Sequence, residues 1–267
     1  MSNIHSTAIV EEGATIASGV VIGAHAFIGK EATIGEGTTI GRAAHVEGRT
    51  TIGSNCKISP LVSIGTPPQD LKYNGEPTSL VIGDRVVIRE FCQINIGTAG
   101  GGGVTRIGSD CLLMGHVHVA HDNQIANGCI IANFVALAGH VEIGEFAVIG
   151  GMSAIHQFTR IGAYAMIAGA SAVSQDIPPY VLAEGNRAKI IGLNLTGLRR
   201  RFSREAIDAL KPIYKEAFRS RQSPKTAAEK ALQNAALSAE AKLFCEFIVS
   251  SKRGVPRSVA QKEKEEI

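Results

Sequence analysis

The sequence predicts a mainly β fold, a parallel β-helix of hexapeptide repeats followed by a small C-terminal α-helical domain. Three observations carry that expectation. An apolar residue recurs at every sixth position through most of the first 173 residues. Aromatic residues make up only 5% of the chain, against 30 glycines and no tryptophan, so any core must be thin and filled by Ile, Val, Leu and Ala. Beyond Arg187 the apolar spacing changes to three or four residues.

The first run steps by six from Ile4 to Ile64, eleven positions that are all Ile or Val. A second run of twelve Ile, Val or Leu residues goes from Ile107 to Val173. Six residues advance an α-helix by roughly 600°, which scatters the apolar residues around it instead of lining one face. Six is even, so the period suits strands, whose side chains alternate with period two. The residue after the apolar one is often Gly (Gly23, Gly35, Gly108, Gly144), expected to supply the turn. The fourth residue after it is small, and Cys56, Cys92, Cys111 and Cys129 all sit there, as core filler. Three short strands make one coil of 18 residues, the signature of a hexapeptide β-helix.

Two insertions break the phase, at 66–81 and 97–106, the second containing Gly100 to Gly103. The glycine run lacks the Lys-Ser/Thr of a P-loop, so a flexible lid or subunit-contact loop is expected. The repeat domain is expected over 1–186 and a helical domain over 187–267. Ser203 and Ser223-Pro224 read as helix starts. Leu243, Phe244, Phe247 and Ile248 mark a third helix, and the tail from Gln261 is charged and expected to fray.

Five cysteines without a CxxC pair exclude a disulfide framework or zinc ribbon. No apolar run approaches the roughly 20 residues of a membrane span. Met1 to His5 has no signal-peptide character, and the expected setting is cytoplasmic and reduced. A net charge of +3 gives no ground for a nucleic-acid partner. Its distribution is uneven: from Arg187 to Arg221 there are ten basic and three acidic residues, +7 locally, which favours an acidic or phosphorylated partner.

Five of the eight histidines lie between His116 and His156. Residues 18 apart stack on adjacent coils about 4.8 Å apart. His121 and His140 therefore neighbour one another, with His118 close by and His156 a coil further on. Asn123 interrupts the small fourth position beside His121-Asp122. Two chemistries fit. One imidazole can act as a general base, since its pKa near 6.5 suits removing a hydroxyl proton. Alternatively, three histidines can bind zinc as in β-helical carbonic anhydrases, where His116 and His121 have a spacing that such enzymes use.

Longer strings narrow the choice. Gln69-Asp70-Leu71-Lys72-Tyr73, Gly75-Glu76-Pro77-Thr78, His118 to Asp122, Leu137-Ala138-Gly139-His140-Val141, Ala154-Ile155-His156-Gln157-Phe158 and Asp176-Ile177-Pro178-Pro179-Tyr180-Val181 resemble the UDP-N-acetylglucosamine 3-O-acyltransferase family. The resemblance spans essentially the full chain, most strongly 65–205, and implies a left-handed prism. It implies transfer of an (R)-3-hydroxyacyl group from acyl carrier protein to the sugar 3-hydroxyl, the first step of lipid A biosynthesis. No cofactor is implied, because the acyl group arrives on the carrier's phosphopantetheine.

By matched position, the resemblance makes His121 the general base, supported by Asp122, with the Gly139 N–H meeting the oxyanion. Gln69, Asp70, Lys72, His118, His140, His156 and Gln157 would hold the glucosamine and acyl parts. Asn194, Arg200 and Arg201 would hold the nucleotide, and Gly169 would set acyl length. A homotrimer with sites between subunits is implied, as is docking of acyl carrier protein on the basic C-terminal helices. Thr196 stands where the family commonly has Glu, and Arg187 replaces a common His. A related N-acyltransferase carries an extra domain before its repeats. This sequence enters the repeat at Ile4, which favours the O-acyl reading over that enzyme, while a related UDP-sugar acyltransferase using a 3-amino acceptor stays as the alternative.

Overall fold

The computed structural model describes residues 2–257; the charged tail expected from Gln261 lies outside them. Three sheets of eleven, nine and eight strands, parallel except for the last pair of the eleven-stranded one, form the sides of a left-handed prism. Most strands are two residues long and end on the predicted six-step residue, as in Val21–Ile22 and Val148–Ile149. Those residues face inward: Ile28, Ile34, Val46, Ile64, Val119 and Leu137 are all 0% exposed. The small fourth position is also interior, with Ala26, Val135 and Ala147 at 0% and the four cysteines buried.

The glycine expectation needs correcting. The left-handed turn residue is not the glycine after the apolar position but the residue two further on. Among the described residues seventeen non-glycine ones take it, including His25, Ala43, Phe91, His116 and His140. That conformation costs a non-glycine residue roughly 1–2 kcal/mol. Many of these side chains stack outward on the next coil, Phe91–His116–Phe134 and Phe146–Tyr164–Tyr180 for example, and the stacking offsets part of that cost. The glycines serve close stacking of coils instead: a Cβ on Gly23 would meet the Arg42 nitrogen at 2.7 Å.

Three edges separate the sheets: the first edge lies between the eleven- and nine-stranded sheets, and the third edge between the eight- and eleven-stranded sheets. Both insertions leave the edge between the nine- and eight-stranded sheets, called here the second edge. The first runs between strands Ser63–Thr66 and Ser79–Ile82; the second, between Gln93–Asn95 and Val104–Ile107, contains a single 3-10 turn at Ala99–Gly101.

Past Arg187 the chain is not yet helical. Val181–Glu184 and Lys189–Leu193 form an antiparallel hairpin at the end of the first sheet, so a division at 186/187 falls inside a hairpin. Ile190 is fully buried there, and β-branched residues suit the strand. The helices follow: α1 (Leu195–Leu198), α2 (Arg204–Arg219), α3 (Pro224–Ala231) and α4 (Ala239–Ser250). Ser203, Ser223 and Ser238 cap the last three, each accepting an N–H three residues on. Among the described residues no helix is long and apolar enough to cross a membrane.

Candidate active site

His121 and Asp122 form a turn of the second edge, one coil after the glycine insertion. The Asp122 carboxyl is fully buried and saturated by donors. Its Oδ1 accepts the Thr98 N–H at 2.9 Å, while Oδ2 accepts Thr98 Oγ1 at 2.6 Å and His121 Nδ1 at 2.7 Å. Thr105 Oγ1 accepts the Asp122 N–H at 2.8 Å. The glycine run is therefore packed on the site and does not hang over it as a lid. A Cβ on Gly101 would overlap the Asp122 carboxyl, so only glycine lets that backbone lie there.

An ionised carboxylate only accepts, so His121 carries its proton on Nδ1 and presents a lone pair at Nε2. Gly139 lies against that edge: a Cβ on it would come within 2.7 Å of His121 Nε2. The Gly139 N–H has no backbone acceptor among the described residues. Asn123 explains why the small fourth position is broken here. Fully buried inside the prism, its Nδ2 donates to Ala120 O at 2.8 Å and Ala138 O at 2.9 Å, tying together the coils that carry His121 and Gly139.

His140 stands edge-on to His121 with ring centres 4.9 Å apart, and stacks on Phe158 at 4.4 Å. Burial lowers its pKa below the ordinary value, against the pull of Asp122. His118 projects outward from its strand between Gln93 and Ala136. Burial and the neighbouring His121 lower its pKa too, and its buried Nδ1 has no hydrogen-bond partner among the described residues. Both rings are mainly neutral at pH 7.

The first insertion reaches this cluster within its own chain. Gln69 Nε2 donates to Gln93 Oε1 at 3.1 Å, Asp70 accepts the Lys72 N–H at 3.0 Å, and the Asp70 charge acts on His140. His156 and Gln157 are exposed on the same edge, one coil further.

The remaining expected residues sit elsewhere on the prism. Arg201 lies 3.9 Å over the Phe146 ring at the third edge. Asn194 donates to Tyr164 O at 3.0 Å and accepts the Gly197 N–H at 3.1 Å, with Arg200 exposed nearby. Gly169 is at the first edge, where a Cβ would meet Gly151 O at 3.2 Å.

The zinc alternative loses its pair. His116 is sandwiched between Phe91 and Phe134 on the first edge, away from His121. His121, Asp122 and His140 do offer ligand atoms within 4.8 Å of one another. However, Asp122 would have to give up a hydrogen bond to serve as a ligand. Thr98 and Thr105 were not legible as site residues. The available signal for Thr105 was a hydroxyl two residues before Ile107, on the inward parity of its strand.

A family model described as UDP-N-acetylglucosamine O-acyltransferase domain 2 matches residues 176–256, and one for the bacterial transferase hexapeptide matches 31–66. An acyl-[acyl-carrier-protein]–UDP-N-acetylglucosamine O-acyltransferase of Aliarcobacter butzleri is 53% identical over 257 residues, 96% of this chain and 98% of that one. A protein of the same name in Thermodesulfovibrio yellowstonii is 48% identical, covering 96% and 100%. The solved UDP-N-acetylglucosamine acyltransferase of Campylobacter jejuni superimposes with a TM-score of 0.91 at 46% identity, covering 96% and 99%. At that identity and coverage, the chain belongs to the UDP-N-acetylglucosamine O-acyltransferase family.

Proposed function

We propose that this protein transfers an (R)-3-hydroxyacyl group from acyl carrier protein to the 3-hydroxyl of UDP-N-acetylglucosamine, opening lipid A biosynthesis, with His121 as general base. The carrying observation is the Asp122–His121–Gly139 alignment: a saturated buried carboxylate, a histidine whose Nε2 is left bare, and a backbone N–H without an acceptor beside it. Nε2 takes the hydroxyl proton as the sugar oxygen attacks the thioester carbonyl. The Gly139 N–H stabilises the resulting oxyanion, a contribution of about 3 kcal/mol where such donors have been removed. Collapse breaks the carbon–sulfur bond, and the leaving thiolate takes the proton back from the imidazolium. Asp122 holds the ring and stabilises its charged form.

Neutral His118 and His140, with Asp70 and Lys72, line the acceptor side. Outward from His118 the same sheet presents Ala136, Ala154 and Ala172 in register, a small-residue strip of roughly 14 Å by coil spacing, which suits an acyl chain ending near Gly169. Asn194, Arg200 and Arg201 hold the nucleotide; their place on another edge supports a homotrimer in which neighbouring prisms share each site. A groove of about 1050 Å³ on the helical domain, lined by Lys211, Lys215, Arg219, Arg221 and Arg257 with Glu216, suits an acidic acyl carrier protein. Five unpaired cysteines agree with action in the reduced cytoplasm. Incubation with UDP-N-acetylglucosamine and acyl carrier proteins of varied chain length, with products identified by mass, tests the reading; no acylated sugar would overturn it.

A further inference from the structure

The segment that follows α4 returns to the second edge. Ser251 Oγ donates to Asp176 Oδ2 at 2.8 Å, and the Asp176 N–H donates to Gly254 O at 3.1 Å. Asp176 is itself buried, with its other oxygen accepting the Arg160 N–H at 2.9 Å. The segment is thus fastened to the last coil, directly beyond His156 and Gln157. From it Arg253 extends along the edge. Its Nε and Nη2 donate to Ser174 O at 3.3 and 3.1 Å, and Nη2 lies 3.2 Å from His156 Nδ1.

His156 Nδ1 is also 3.0 Å from Gln157 O. These two neighbours make opposite demands. A guanidinium only donates, so it needs a bare Nδ1; a carbonyl only accepts, so it needs Nδ1–H. One of the two hydrogen bonds can form at a time, and the winner fixes the tautomer. Arg253 is always charged, and charge-assisted hydrogen bonds are about twice as strong as neutral ones. Among the described residues, the ring's own strand offers Ala154 and Ile155, and the flanking coils place Ala138 and Ser174 beside it.

We propose that Arg253 is a positioning residue for the transfer reaction. It holds His156 as the neutral tautomer with a bare Nδ1, so that the Nε2–H on the open side of this exposed ring donates to an oxygen of the bound substrate. The use of that donor rests on the acyltransferase reading; the tautomer does not.

Nitrogen-15 NMR of the intact protein labelled at histidine, with the His156 signal assigned by His156→Gln, reads the tautomer without turnover. In the unmodified protein Nδ1 is expected to show the shift of an unprotonated nitrogen and Nε2 that of a protonated one. Arg253→Met should exchange the two and raise the KM of at least one substrate about tenfold, the scale of one hydrogen bond, with kcat within about twofold. Arg253→Lys should restore both. Protonated Nδ1 in the unmodified protein, or the same tautomer in Arg253→Met, would overturn the proposal. If Arg253→Met does not fold, the spectra of the unmodified protein and of Arg253→Lys still decide. An unmodified protein that shows the expected tautomer but makes no acylated sugar would count against the acyltransferase reading instead.

Discussion

His116 on the first edge and His140 on the second occupy the same place in their hexads. Each is the left-handed residue of its turn, with φ of 62° and 60°. Each stacks on phenylalanine from an adjacent coil, at 4.6 and 4.8 Å for His116 and 4.4 Å for His140. The difference lies beneath the rings. Beneath His116 the interior is apolar, with Cys92, Val117 and Val135. Under the second edge it holds Thr98, Thr105, Asp122 and Asn123, all buried, and a glycine insertion closes over the carboxylate. Outward imidazoles are thus a general product of this scaffold, and chemistry arises where its interior becomes polar.

The sharpest way to break that comparison is a matched pair of substitutions. His121→Ala should lower kcat/KM about 10³-fold, within the usual range for a general base. His116→Ala should leave kcat/KM within about twofold and cost about 1 kcal/mol of stability from lost ring stacking, read by denaturant unfolding. Comparable activity losses in both would erase the distinction between the edges.

A smaller effect tests the polar interior. Thr98→Val removes one of the three donors to Asp122 but keeps the backbone donor, and should lower kcat about tenfold while the fold persists. On the first edge the expected contribution is steric. Gly169→Met should move the preferred acyl chain to shorter lengths in a competition assay, with about tenfold less of the longest product.

The smallest effect concerns pH. His118 and His140 have folded pKa values below the ordinary value near 6.5, chiefly through burial. Above pH 6.5 neither contributes a slope. As pH falls through 6.5 the unfolded chain binds protons that the folded one resists, so stability declines on the acid side. His118→Gln should flatten that decline in thermal unfolding between pH 7 and 5; an unchanged slope would remove His118 from the account.

The repeat was legible because the interior demands an apolar residue every six positions, a signal that two insertions interrupt without erasing. The helix starts were legible because Ser203 and Ser223-Pro224 state a local hydrogen-bonding requirement. The role of the glycines was not: Gly23 and Gly101 are required by contacts with Arg42 and Asp122, which only the stacked coils reveal. Thr98 sits 24 residues from the carboxylate it holds, so nothing local marks it. Residues 189–193 read as helix territory because the charge and spacing of α2 dominated the stretch, whereas Ile190 pairs with Ala183 across a hairpin.

The most direct test of the second edge is kcat/KM for Asp122→Asn, measured beside a circular dichroism check that the prism is intact. An amide keeps the shape but removes the charge that fixes the His121 tautomer and stabilises its protonated form. A loss of about 10²-fold or more with folding retained is the expected result. Turnover within about twofold of the unmodified protein would show that the buried carboxylate is not what separates the two edges.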